Sequence, residues 1–128
     1  MKAITLEGEY WDEVERGEKT EEYRTWPTTH RGDILICYAA CGGSPGATSM
    51  VADLYDCVAI DKGLYAFKLR NVRYFRPFTV RGQQRIFNVP VEVEDLEFIT
   101  DEDEYVRAFG EYAETINAEM AKKKRAKN

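Results

Sequence analysis

The spacing Gly17-x-Lys19-x-x-Glu22-x-Arg24 gathers an ammonium, a carboxylate and a guanidinium in one short stretch. In an extended chain Glu22 and Arg24 are two apart and point to the same face. Lys19 follows a glycine stop and can reach the same opening from the turn. A carboxylate flanked by two cations is held rigid. It can accept from the exocyclic amine of a planar base while the cations meet a phosphate or a carbonyl. Trp26, just beyond, offers a face for stacking. The same spacing also suits an ion pair that ties a strand to a loop, and spacing alone leaves both readings open. A third chemistry is hydrolytic. A lysine desolvated in a pocket can act as a base, which makes Lys19, Thr20 and Glu22 candidate catalytic groups.

Other reactive side chains point less sharply. His30 is the sole histidine and reads as a solvated residue in a polar loop. Cys37, Cys41 and Cys57 are too few and wrongly spaced for a zinc site, so they read as free thiols, small and buried, with no metal. Tyr23 and Tyr38 either line the cleft or pack, and packing is expected. Asp53 and Asp56, three apart in a strand, fall on opposite faces and make no carboxylate pair without a bulge. Ser44 in "GGSPGA" reads as a turn residue.

A net charge of −5 at first argues against a nucleic-acid partner. Its distribution reverses that. Residues 1–91 balance twelve bases against twelve acids, and 92–128 hold six against eleven. Between Asp61 and Glu92 lie seven bases and no acid: Lys62, Lys68, Arg70, Arg73, Arg76, Arg81 and Arg85. They form either a face for phosphates or strand surfaces paired with acids elsewhere. No apolar run approaches the length of a membrane span, and "MKAITLEGEY" is not a signal peptide. The expected compartment is the cytoplasm.

The elements that must position these groups read as follows. "KAITL" is a short strand, and "EYWDEVERG" a helix with Tyr10, Val14 and Trp11 inward and Gly17 as its stop. Residues 20–25 form a polar strand and "DILICYAA" an apolar one. "TSMVADLYDCVAID" and "LYAFKLRNVRYF" are long strands around the turn "DKG". One or two short strands follow near Gly82. Thr100 then caps an amphipathic helix, 101–124, with acid at its start and base at its end. Its stripe of Tyr105, Phe109, Tyr112, Ile116 and Met120 suits packing on the domain or a dimer interface, and "KKKRAKN" suits a frayed tail. Many short strands with few helices imply a mainly β fold with flanking helices (α+β), closed into a small barrel because edges must be hidden. The expected division is a barrel domain, 1–99, and an appended helix and basic tail, 100–128.

Gly17, Lys19, Glu22 and Arg24 match in full the GxKxxExR signature of ASCH domains, which are PUA-like barrels. "RTWPTTHRGDILICYA", "SMVADLYDCV", "YAFKLRNVRYF" and "VRGQQRIFNV" resemble further blocks of that family in order, so the resemblance spans about residues 2 to 91. It implies a cleft that binds RNA or a modified nucleoside or nucleotide, with no cofactor. The implied contacts are Lys19, Glu22, Arg24, Trp26, Arg31, Asn71, Arg73 and Gln83. Some small family members hydrolyse the acetyl amide of acetylated cytidine with a Lys, a Thr three residues later and a Glu on a separate helix. This chain keeps the lysine as Lys19 and has Glu22 at the threonine position. The other open readings are therefore a hydrolase of that kind, or an interaction module working through the C-terminal helix.

Overall fold

The computed structural model describes residues 1–126. Strand β1, Lys2–Leu6, buries Ala3, Ile4 and Leu6, so it is covered on both faces and runs inside the sheet. The next partner along the sheet is β3, Gly32–Tyr38, aligned parallel to it with Ile4 opposite Ile36. Parallel neighbours need a crossover. Here it consists of helix α1, Gly8–Glu15, and strand β2, Glu21–Arg24.

Helix α1 buries Trp11 and Val14, and the Trp11 indole donates to the Ile36 carbonyl at 3.2 Å. Tyr10, expected inward, is exposed. Gly17 ends the helix at φ +75°, a conformation that glycine adopts without a Cβ penalty. The chain then crosses to the far edge of the sheet. There β2 pairs antiparallel with β5, Leu64–Thr79, placing Glu22 opposite Phe67 and Arg24 opposite Tyr65.

Strand β4, Ala47–Asp61, and β5 form one long hairpin whose register shifts at four places. Such bulges bend a strand and increase its twist. Strand β5 runs four residues past the expected end at Phe75, to Thr79. Two short strands complete the sheet: β6, Phe87–Asn88, on β1, and β7, Phe98–Ile99, on β5. The fold is mixed α+β, a seven-stranded sheet in the order β2-β5-β4-β3-β1-β6 with β7 beside β5. The closed barrel expected from the sequence is not made by strand pairing: among the described residues no ladder joins β2 to β6. The bulged sheet instead curls until Arg24 of β2 donates a side-chain hydrogen bond to the Thr5 carbonyl of β1 at 2.8 Å.

Apolar clusters fill both faces. Ile4, Leu6, Trp11, Val14, Ile34, Ile36 and Phe67 form one; Leu35, Cys37, Val51, Phe75 and Phe87 belong to the other. Helix α2, Glu102–Ala126, lies over the first. Its cap is Asp101 rather than Thr100, through a bond from the Glu104 amide at 2.9 Å. The helix continues through Lys122–Arg125, where a frayed tail was expected; residues 127 and 128 lie outside the described residues. The stripe packs on this chain's own sheet. Phe109 meets Trp11 and Tyr38, and Tyr105 meets Tyr74. Neither helix is long and apolar enough to cross a membrane.

Candidate functional site

Strand alternation turns Glu22 and Arg24 inward at the edge where the sheet curls. Glu22 is 7% exposed, unusual for an unburdened carboxylate. Its Oε1 accepts from the Tyr23 amide at 3.1 Å, and its Oε2 lies 3.7 Å from Arg24 Nη2. Arg24 is anchored separately by the Thr5 carbonyl. Its Nε and the Thr5 hydroxyl are buried without a hydrogen-bond partner. Buried polar groups are normally satisfied, so this seam holds unmet donor and acceptor capacity.

Beside the pair opens a cleft of about 630 Å³. Strand β2 supplies Glu22, Tyr23 and Arg24, with Trp26 just after it; β1 and the start of α1 supply Thr5, Glu7 and Tyr10. The loop before β6 closes it with Gln83, Gln84 and Arg85. Trp26 and Phe67 meet edge to face, with ring centroids 5.1 Å apart. The guanidinium groups of Arg24 and Arg85 lie 5.9 and 5.4 Å from the Trp26 ring. The cleft thus combines a carboxylate acceptor, a guanidinium donor, two primary amides and an indole. That set can hydrogen-bond the edge of a planar heterocycle and cover its face.

Of the residues picked from the sequence, Glu22, Arg24, Trp26 and Gln83 line this cleft. Lys19 sits at its rim, its Nζ 5.0 Å from the ring centre of Tyr10 and 5.4 Å from that of Tyr23. Thr20 is exposed, and its carbonyl accepts from the Leu69 amide. Arg31, Asn71 and Arg73 lie elsewhere. Arg31 bonds to the carbonyls of Thr28 and His30 and approaches Asp56 at 3.8 Å. Arg73 pairs with Asp33 at 2.6 Å and bonds to the carbonyl of Asn71, which sits at φ 52° within β5.

Most of the acid-free basic segment proves to be paired strand surface. Lys68 meets Glu21, Arg70 meets Asp53, and Arg76 meets Glu97 and Glu111, as Arg73 meets Asp33. The Lys68 bond holds the Glu21 carboxyl below its ordinary value. Among the described residues Lys62, Arg81 and Arg85 have no carboxylate within 4.0 Å.

Several local expectations change. Tyr23 does not pack: it is 48% exposed and bonds to Glu21. His30 is not free in solvent but tied to the Asp33 carbonyl at 3.0 Å. Cys41 is exposed, whereas Cys37 is buried, and burial pushes its thiol up to about 12, far from a nucleophile's range. Asp53 and Asp56 answer to separate arginines. Thr5, Glu7, Tyr10, Gln84 and Arg85 were not singled out for the cleft. Arg85 did carry a signal, as a member of the acid-free run, while the others carried none.

With that geometry in place, comparison with family models matches the chain to the ASCH domain over residues 4–126. The chain belongs to the ASCH domain family. The match takes in α2, which the motif resemblance over 2–91 had left outside. No curated protein matches this ASCH chain.

Proposed function

We propose that this ASCH protein binds a nucleobase, carried by RNA or by a modified nucleoside or nucleotide, in the cleft between β2 and the loop before β6. The observation that carries this reading is the nearly buried Glu22 carboxylate set beside Arg24 next to Trp26. A carboxylate and a guanidinium side by side complement the donor and acceptor on a base edge. The indole complements its face. Family membership supports the same class of ligand. The lining charges, Glu7 and Glu22 against Arg24 and Arg85, cancel. Recognition is therefore led by the base, with phosphate contacts secondary. In this reading the sheet is a PUA-like barrel whose seam is the binding cleft, and the protein works in the cytoplasm.

Hydrolysis of an acetylated nucleoside is the lesser reading, because neither Lys19 nor Thr20 lines the cleft. The test is fluorescence anisotropy with a short single-stranded RNA at two salt concentrations. Binding at low salt that falls only shallowly as salt rises supports the proposal, since base contacts lead and phosphate contacts are secondary. No binding at low salt contradicts it.

A further inference from the structure

A second cavity, of about 530 Å³, shares a wall with the first. Thr5, Ala39, Gln83 and Gln84 line both. The second continues along Pro45, Gly46, Val80 and Arg81. Both volumes fall in the range of roughly 300–1,000 Å³ that holds small ligands. The segment between β5 and β6 runs along the two cavities, with Arg81 at the second and Arg85 at the first.

We infer that the two cavities form one groove for consecutive nucleotides of a single-stranded RNA, with the phosphates following the 81–85 segment. This rests on the base-binding reading above and names its ligand as a strand of at least two nucleotides. Three observations carry it. The shared wall makes the second cavity continuous with the base cleft, and its lining of Ala39, Ala40, Pro45 and Val80 suits the apolar face of a neighbouring base. Arg81 and Arg85 are two of the three cations of the acid-free run without a carboxylate within 4.0 Å among the described residues. Four residues apart, they stand at most about 14 Å from one another along the chain, a span two extended arginines can bridge to adjacent phosphates. Finally, among the described residues, 81–86 make none of the main-chain hydrogen bonds found in the loops. Their amides remain free to donate to phosphate oxygens. The paired arginines of β5 offer no such track, because each already holds a carboxylate.

The test compares a ribonucleoside monophosphate with di- and tetranucleotide RNA by titration calorimetry across a salt series. The intact chain is compared with Arg81→Ala and with Lys62→Ala at the distant β4–β5 turn. The 5′-phosphorylated dinucleotide, with one phosphate more than the monophosphate, is expected to bind about ten-fold tighter, one charge-assisted phosphate contact's worth. Arg81→Ala should remove that gain and reduce the salt slope for the RNA by about 0.7, the value for one phosphate of a single strand. Lys62→Ala should do neither. Equal affinity for mono- and dinucleotide, with Arg81→Ala silent, overturns the groove while leaving the base cleft standing. Absence of binding for every ligand overturns both. Arg81 is exposed, and an unchanged melting curve of Arg81→Ala separates lost contact from lost fold.

Discussion

Glu22→Gln separates a binding carboxylate from a structural one. The amide keeps the shape and keeps an oxygen to accept from the Tyr23 amide, now 3.1 Å away. What it loses is the charge 3.7 Å from Arg24. At an effective dielectric of 20, that attraction is about 4.5 kcal/mol. Against it stands the cost of keeping a carboxylate out of water, several kcal/mol per buried ion, which the amide largely avoids. Arg24 also keeps its bond to the Thr5 carbonyl, so its own position is not surrendered. The net stability loss should be about 1–2 kcal/mol, readable as a shifted urea midpoint with an unchanged slope. Binding should suffer more. A charge-assisted hydrogen bond to an exocyclic amine contributes about 1.5–3 kcal/mol, or roughly ten- to hundred-fold in affinity. The assay is RNA anisotropy corrected for the folded fraction. Were Glu22→Gln to melt the domain while folded molecules bound RNA as before, the pair would be purely structural and the reasoning refuted.

Further outcomes follow from the same geometry. Trp26→Ala should weaken RNA binding by about 1–3 kcal/mol, the contribution of one stacked base; calorimetry showing unchanged affinity would remove Trp26 from the site. Tyr105→Phe keeps the rings packed but deletes the bonds to Ser49 at 2.7 Å and Glu15 at 2.8 Å. It should cost about 1–3 kcal/mol in chemical denaturation, because the buried Ser49 hydroxyl loses its partner. Burial raises the Glu15 carboxyl above 4.5, with Asp12 adding to the rise and the Tyr105 bond and Arg16 opposing it. A raised carboxyl favours the fold below its unfolded value, and that contribution is lost as pH rises through its folded value. Glu15→Gln should therefore gain stability relative to the parent as pH climbs from about 4 to neutrality; a difference independent of pH would contradict this. At Gly46 an added Cβ would stand 2.8 Å from the Tyr38 carbonyl oxygen and 3.0 Å from that of Val80. Gly46→Ala should cost about 1–3 kcal/mol, whereas Gly110→Ala, in open space on α2, should gain up to about 1 kcal/mol.

The half of the site that lies on β2 was legible because strand period alone assigns faces: Glu22 and Arg24 turn inward together whatever lies across from them. Of the other half only Gln83 was, through the family resemblance. Gln84 and Arg85 reach the cleft because the chain leaving β5 passes over Thr5, and no local pattern encodes that passage. Charge counting misled for a related reason. The acids that neutralise Lys68, Arg70, Arg73 and Arg76 come from β2, β4, β3 and the segments around α2, distant in sequence and adjacent only after pairing. Lys19 shows a third limit. Gly17 and the turn put it at the rim, but Tyr10 and Tyr23 hold it over their rings, and ring positions depend on how α1 and β2 meet. Alternation and turn residues made the long hairpin plain. Its register shifts, which curl the sheet without a closing ladder, depend on packing across both faces.

The central claim, that a nucleobase enters the seam between β2 and the loop before β6, is tested most directly by amide and indole NMR shifts during titration with a short single-stranded RNA. Shifts concentrated at Thr5, Tyr23, Arg24, the Trp26 indole and residues 83–85, with the turn at Lys62 and Gly63 unmoved, are the result expected. Saturating RNA that leaves those signals in place, or that moves only signals of α2, would contradict the account.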